Sequence, residues 1–341
     1  MTFFNTFRHN SSKIACALVA LLCLSATARA QEQDEDVVPI NSNLVILNVG
    51  VADPKGRAMT NLTQTDFNVY EDGVKQSVVS FEPSTAPFSL VLLLDMSGST
   101  RNFRPTLKQS ALRFIDALGP DDRIEVVIFS EQIKTLQTFT ADRRKIGFAI
   151  EQAEGRGNTS LYKALRHSLA DLSKEGKRRK AIVVLTDGLD TEERKLDGSA
   201  TAEARTGDEA VATVKPDQSA ALRSVLDLAD RLGVTVYPLA LPSADPTKLL
   251  PLTPQQSAIY SAARTRMQTL ADRTGGRLHE IRRLEDMGRL YAEVAAEMRT
   301  LYSLAYQSSN ARARDGKWRA ITVEVTRADA IARSRPGYFA R

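Results

Sequence analysis

The sequence predicts an α/β protein in which a doubly wound, mostly parallel sheet is inserted into a small β-sandwich formed by the N- and C-terminal segments. Three observations carry this expectation. Residues 90–94 (LVLLL) and 181–186 (AIVVLT) are apolar runs without alternation, the pattern of strands covered on both faces. Between and after them, segments with helical spacing alternate with short strand-like runs, as a βαβ architecture requires. On either side of this region the chain is β-rich and punctuated by turns, and a piece of roughly 40 residues is too short to bury a good core alone.

Taken in order, residues 1–30 carry Arg8 and Lys13, an apolar core over 14–24 and the tripeptide Ala28-Arg29-Ala30, the pattern of a secretory signal peptide. That core falls short of the roughly 20 residues a permanent span needs, so no transmembrane span is expected after cleavage. Residues 31–43 are polar, acidic and proline-containing, and read as a flexible lead. Residues 44–85 form the first half of the sandwich: a strand over 44–51, a turn at Asp53, Pro54 and Gly56, a strand over 67–70, the turn Glu71-Asp72-Gly73 and one returning strand over 74–81.

Residues 86–299 are the α/β domain. A helix over 103–118 aligns Leu107, Ala111, Phe114, Ile115 and Leu118, and a strand covers 123–129. Helices follow over 143–152 and 161–172, the latter with Leu161, Leu165, Leu169 and Leu172 in one stripe. After the strand at 181–186 come a helix over 220–232, a strand over 234–241, a helix over 266–273, a turn at Gly275-Gly276, a strand over 277–281 and a closing helix over 284–299. The polar segments 191–217 and 243–257 read as loops or short-helix insertions, the first directly after Asp187. Residues 300–341 return to β character over 301–307, 318–326 and Tyr338-Phe339, giving the second half of the sandwich.

With 341 residues, 43% hydrophobic and 26% charged, the chain is an ordinary globular one rather than disordered or a membrane bundle. Both cysteines, Cys16 and Cys23, lie in the signal segment, so a cleaved chain has no disulfide and no soft metal ligand. Secretion without disulfides suits a bacterial envelope, and the bulky Leu22 before Cys23 disfavours a lipid anchor. Losing Arg8, Lys13 and Arg29 lowers the formal charge from +5 to +2, which gives no electrostatic case for nucleic acid.

The chemistry is concentrated at strand ends. Asp95-x-Ser97-x-Ser99 closes the first apolar run, Asn158-Thr159-Ser160 follows the glycines Gly155 and Gly157 and opens a helix, and Thr186-Asp187-Gly188 closes the second run. In open α/β sheets, ligands bind at the carboxyl ends of the strands. A set of carboxylates and hydroxyls offers only oxygen, the ligand type of hard cations such as Mg2+. Alone, Asp95 and Ser97 serve equally well as a helix N-cap or turn, and Thr159 as the cap of its helix.

This set resembles the von Willebrand factor A domain and its metal-ion-dependent adhesion site, whose pattern is DxSxS, a later Thr and a later Asp; the likeness extends over residues 87–299. It implies a metal held by Ser97, Ser99 and Thr159 through hydroxyls, with Asp95 and Asp187 acting directly or through water. The metal is then Mg2+, Mn2+ or Ca2+, and an open coordination position accepts an Asp or Glu carboxylate from a protein partner. The flanking segments, including Thr65-Asp66-Phe67 and the ending Pro336-Gly337-Tyr338-Phe339, look like secreted bacterial VWFA-related domain proteins, many from Acidobacteria.

The expected function is therefore a secreted or periplasmic, non-enzymatic, metal-dependent protein-binding module. A metal-dependent hydrolase and a structural subunit with a vestigial site are the alternatives. The sequence has no Walker-type Gly-Lys-Ser loop, no nucleophile elbow and no His-Glu-x-x-His pair, and a serine stands at position 97 where aspartyl phosphoryl transfer would want a second carboxylate. His167 and His279 read as surface or packing residues.

Overall fold

A computed structural model describes residues 44–242, 252–310 and 315–341. The expected signal peptide and lead, and residues 243–251 of the second polar segment, lie outside the described residues. The chain begins with β1 (Leu44–Ala52), β2 (Phe67–Glu71), β3 (Val74–Gln76) and β4 (Val78–Glu82). There follow β5 (Phe88–Asp95), α1 (Arg104–Ala117), β6 (Arg123–Phe129), β7 (Ile133–Thr140), α2 (Arg143–Glu151), α3 (Leu161–Leu172) and β8 (Arg179–Thr186). Then come α4 (Thr191–Thr201), α5 (Gly207–Thr213), α6 (Ala220–Leu232), β9 (Val234–Ala240), α7 (Pro254–Thr274), β10 (His279–Glu280) and α8 (Met287–Met298). The closing strands are β11 (Leu301–Gln307), β12 (Trp318–Val325), β13 (Ile331–Arg333) and β14 (Gly337–Phe339).

The six-stranded sheet has the order β10-β9-β8-β5-β6-β7, and its neighbours run parallel except for β6 and β7. Every residue of β5 is buried. Leu90, Leu92 and Leu94 pack with α1, α2 and α8, while Val91 and Leu93 pack with α3 and α6. Each such side chain stabilises the fold by about 1.5–3 kcal/mol, which is why the central strand has no polar alternation. The chain leaves β5 for β6 on one side and returns through β8 on the other. The carboxyl ends of β5 and β8 are therefore the switch point of the sheet, where a ligand crevice forms.

The flanking segments interleave. One antiparallel sheet has the order β13-β1-β11-β4 and the other β14-β12-β2-β3, so each mixes strands from before and after the α/β region. Val45, Leu47, Val49 and Val51 of β1 share one core with Phe67 and Val69 of β2, Tyr302, Leu304 and Tyr306 of β11 and Ile321 of β12. The opposite side of β1 meets the α/β region, where the Asn48 side-chain amide donates to Gly233 O (3.1 Å) and Thr235 Oγ1 (2.9 Å). At the two crossings between sandwich and α/β region, the buried Arg179 guanidinium lies 3.9 Å over the Phe88 ring and donates to the carbonyls of Ser84, Ala86 and Leu301.

Several element bounds differ from the sequence reading. The strand expected over 74–81 is two strands in different sheets: β3 pairs with β2 and β4 with β11. The switch at Ser77 is held by Gln76, whose side chain bonds Ser309 while Val78 moves to the facing sheet. The Asp72-Gly73 turn is a tight hairpin with positive φ at both residues (49° and 78°), as two-residue I′ turns require. Strand β7 was not anticipated; it is an antiparallel edge with register shifts against β6. Helix α7 begins at Pro254, well before the expected 266, because Thr253 and Gln256 form a capping box and Pro254 occupies the first turn. The 191–217 insertion is helical over α4 and α5.

Candidate metal centre

Strand β5 delivers Asp95 to the switch point with no solvent exposure. Its Oδ1 accepts from the Ser97 N–H (2.9 Å), and its Oδ2 accepts from Thr186 Oγ1 at the end of β8 (2.7 Å). The turn that follows places the Ser97 and Ser99 hydroxyls 3.0 Å apart. Thr100 closes this turn by donating to the carbonyls of Asp95 and Ser97. Strand β8 delivers Asp187, whose Oδ1 accepts from the Leu189 N–H (3.0 Å). Asp187 Oδ2 is buried and has no hydrogen-bond partner.

The two carboxylates repel one another. Burial first, and then the Asp187 charge, push Asp95 up to about 7, against the hydrogen bonds from Ser97 and Thr186. Burial also raises Asp187, opposed by the Leu189 N–H, the nearby Ser99 hydroxyl, Arg264 and Arg194. Two buried acids that each penalise the other's ionisation, with one oxygen unsatisfied, are relieved by a cation. Two carboxylates formally neutralise a dication, while hydroxyls add oxygens without further charge. The donor set therefore fits a hard divalent metal. No cluster of three or more His, Cys, Asp or Glu exists among the described residues, so the hydroxyls are indispensable to the set.

The loop carrying Thr159 is brought alongside by backbone contacts. Gly98 N–H donates to Gly157 O (3.1 Å). A Cβ on Gly155 would stand 2.7 Å from Met96, and Gly157 has φ +85° with the Glu131 carboxylate where a Cβ would be. Only glycine permits this approach. The Thr159 N–H donates to Thr191 Oγ1 (2.9 Å), and the Thr191 N–H returns a bond to Thr159 O (2.9 Å). Asp190 caps α4 and accepts from the Tyr162 N–H, tying α3 to the same loop. The structure thus links Asp95, Ser97 and Ser99 by hydrogen bonds, brings Asp187 near enough to act on Asp95 electrostatically, and fixes Thr159 through its backbone.

Of the residues that support the site, the sequence names Thr186 only as the end of its strand and does not single out Thr191 or Arg104. Thr186 had a signal, being the polar end of an apolar strand as Asp95 is. Thr191 had the weaker signal of following Asp187 closely. Arg104 had none. Its guanidinium donates to Met96 O (2.7 Å), Ser97 O (3.0 Å) and Gly155 O (2.8 Å).

Residues 90–189, which contain all five expected ligands, match the family model of the von Willebrand factor type A domain. The chain carries a von Willebrand factor type A domain. A curated relative from Synechocystis, described as an uncharacterized protein, is 35% identical over 107 residues, covering 30% of this chain and 25% of the relative. The chain thus spans about a quarter of that relative's length. Among solved structures, a von Willebrand factor type A protein from Catenulispora acidiphila matches with a TM-score of 0.45 at 12% identity, covering 88% of this chain and 74% of that one. An aerotolerance-related membrane protein from Bacteroides fragilis matches with 0.41 at 16%, covering 62% and 98%. Proximal thread matrix protein 1 from the mussel byssus, in a structure described as having a zinc-occupied MIDAS motif, matches with 0.46 at 12%, covering 66% and 49%. Around the type A domain, no described helix is long and apolar enough to cross a membrane.

Proposed function

We propose that this chain is a metal-dependent protein-binding module of the bacterial cell envelope, secreted or periplasmic, which captures an acidic side chain of a partner protein. The observation that carries the reading is the unpartnered, buried Asp187 Oδ2 beside Asp95, with the Ser97 and Ser99 hydroxyls facing one another at the same strand tips. In this reading Ser97, Ser99 and Thr159 hold Mg2+, or Mn2+ or Ca2+, through hydroxyls, and Asp95 and Asp187 balance its charge. A dication so held supplies an electrophilic position for an outside carboxylate oxygen. Asp95 is kept in place by Ser97 N–H and Thr186, so the chain's own contribution is a preformed, dry cradle.

The reading is of a binding module and not of an enzyme. The two histidines among the described residues engage other groups: His167 meets Thr135 and Asp171, and His279 is buried beside Glu293 with its basicity lowered by that burial. Calorimetric titration with Mg2+ or Mn2+ tests the metal, and capture from envelope extract with and without EDTA tests the partner. Cation binding by the wild type that is abolished in Asp95→Ala supports the reading; equal affinity of the two proteins overturns it.

A further inference from the structure

We infer that Arg104 is a positioning residue for cation capture, acting by clamping the Ser97–Ser99 turn against the loop that carries Thr159. The inference rests on the metal reading above and concerns a residue that holds none of the proposed ligand oxygens. One guanidinium nitrogen reaches three carbonyls on two loops: Met96 O and Ser97 O on one, Gly155 O on the other. The Met96–Ser97 peptide unit is thereby held at both ends, its oxygen by Arg104 and its N–H by Asp95 Oδ1. The Ser97 carbonyl is shared with Thr100, which also bonds the Asp95 carbonyl. A displacement of Arg104 therefore reaches Asp95 and Ser97 through the backbone without touching their side chains.

Besides Arg104, one backbone bond, Gly98 N–H to Gly157 O, is recorded between the two loops. No hydrogen bond of the Thr159 hydroxyl to Ser97, Ser99 or either aspartate is recorded, so its distance from them depends on how the loops are fastened. Arginine is suited to such a fastening because its planar, permanently charged donors form shorter, stronger bonds to carbonyl oxygens than neutral groups do. Residues that orient ligands without touching the metal typically change affinity by about 10- to 100-fold.

The same helix provides a matched control. Lys108, one turn further along α1, donates to the Glu151 carbonyl (2.7 Å) at the end of α2 and touches neither loop. The experiment titrates Mn2+ calorimetrically into the full chain and into Arg104→Met, Arg104→Gln, Arg104→Lys and Lys108→Met. Arg104→Met is expected to weaken Mn2+ binding by roughly tenfold. Arg104→Gln, which keeps a neutral N–H donor and serves if the methionine variant does not fold, is expected between Arg104→Met and the wild type. Arg104→Lys, which keeps the charge but loses the planar donors, is expected between Arg104→Gln and the wild type, and Lys108→Met is expected to be unchanged. Wild-type affinity in Arg104→Met or Arg104→Gln overturns the positioning role, as does an equal loss in Lys108→Met, which would mean general loosening of α1. A wild type that binds no Mn2+ overturns the metal reading itself and this inference with it.

Discussion

Glu71 in the sandwich and Asp187 at the tip of β8 are both carboxylates with 3% exposure, and both sit near hydroxyl side chains. Glu71 is saturated by its own chain: Tyr306 and Tyr338 donate to Oε2 (2.7 and 3.0 Å) and Ser308 to Oε1 (2.6 Å). Asp187 has one oxygen on a backbone N–H and the other on nothing, with a second carboxylate close by. The first arrangement is complete and joins strands from both ends of the chain. The second has an unmet demand for positive charge. Hydroxyls that close one site leave the other open, because in the sandwich they point at a lone carboxylate and at the switch point they share the space with a pair.

The largest expected effect is on the sandwich. All three donors to Glu71 come from the last segment, as do both strands that pair with β1 and one of the two that pair with β2, the other being β3. Deleting residues 302–341 is expected to remove amide protection from β1 and β2 altogether, read by hydrogen exchange. Persistent protection there would break the comparison, since the N-terminal strands would then form a core unaided.

The next effect belongs to the open site. Mg2+ at 100 times its dissociation constant is expected to stabilise the wild type by about 2.7 kcal/mol, seen as a shift in the urea midpoint on adding EDTA. The shift should vanish in Asp187→Ala and survive in Glu71→Gln. A Mg2+-dependent midpoint in Asp187→Ala would move the cation elsewhere and void the contrast.

Glu71→Gln measures the closed site. The amide keeps one acceptor oxygen for three hydroxyl donors and sets its N–H groups against hydroxyls that must reverse from donor to acceptor or lose their bond, at a cost of about 1–3 kcal/mol. Urea midpoints with and without Mg2+ should fall by the same amount. A Mg2+-dependent difference would show that the two sites are coupled.

How much of this was legible in the sequence follows from what each residue must satisfy locally. Leu90 to Asp95 announced its strand because both faces had to be apolar, and Asp95, Ser97 and Asp187 announced the site because polar groups at the ends of such runs have nowhere to go but the crevice. The interleaved sandwich followed from two half-cores that could not stand alone. Ser77 did not announce the change of sheet, because residues 74–81 satisfy strand propensity on either side of it and Ser309, which bonds the Gln76 side chain twice, lies far along the chain. Arg104 was equally silent, since an arginine at the start of a helix is common and its three carbonyls lie on loops fixed by tertiary packing. The early start of α7 was readable in Thr253-Pro254 and Gln256, a capping signal in a segment read as a loop for its prolines.

The smallest effect sharpens the comparison with a third buried carboxyl. Glu125 on β6 is 2% exposed, and its Oε2 has no partner and no hydroxyl to meet it. Burial, reinforced by Asp171 and Glu175 and opposed by Lys174, pushes it up to about 8 from its ordinary 4.5. The folded protein therefore holds this proton across a pH range in which the unfolded chain has released it. Its contribution to stability is present below about 4.5 and is lost as pH rises towards 8. Glu125→Gln removes that slope, so its urea midpoint relative to wild type should climb between pH 5 and 8 and level off above. The gain, discounted for solvent that screens Asp171, Glu175 and Lys174, is expected to be about 1 kcal/mol. Measuring both proteins in EDTA cancels the titration of Asp95, which they share. A difference that stays flat with pH would mean that Glu125 is already ionised in the fold, and an unpaired buried acid could then persist without proton, hydroxyl or cation, which would remove the ground for assigning a metal to Asp187.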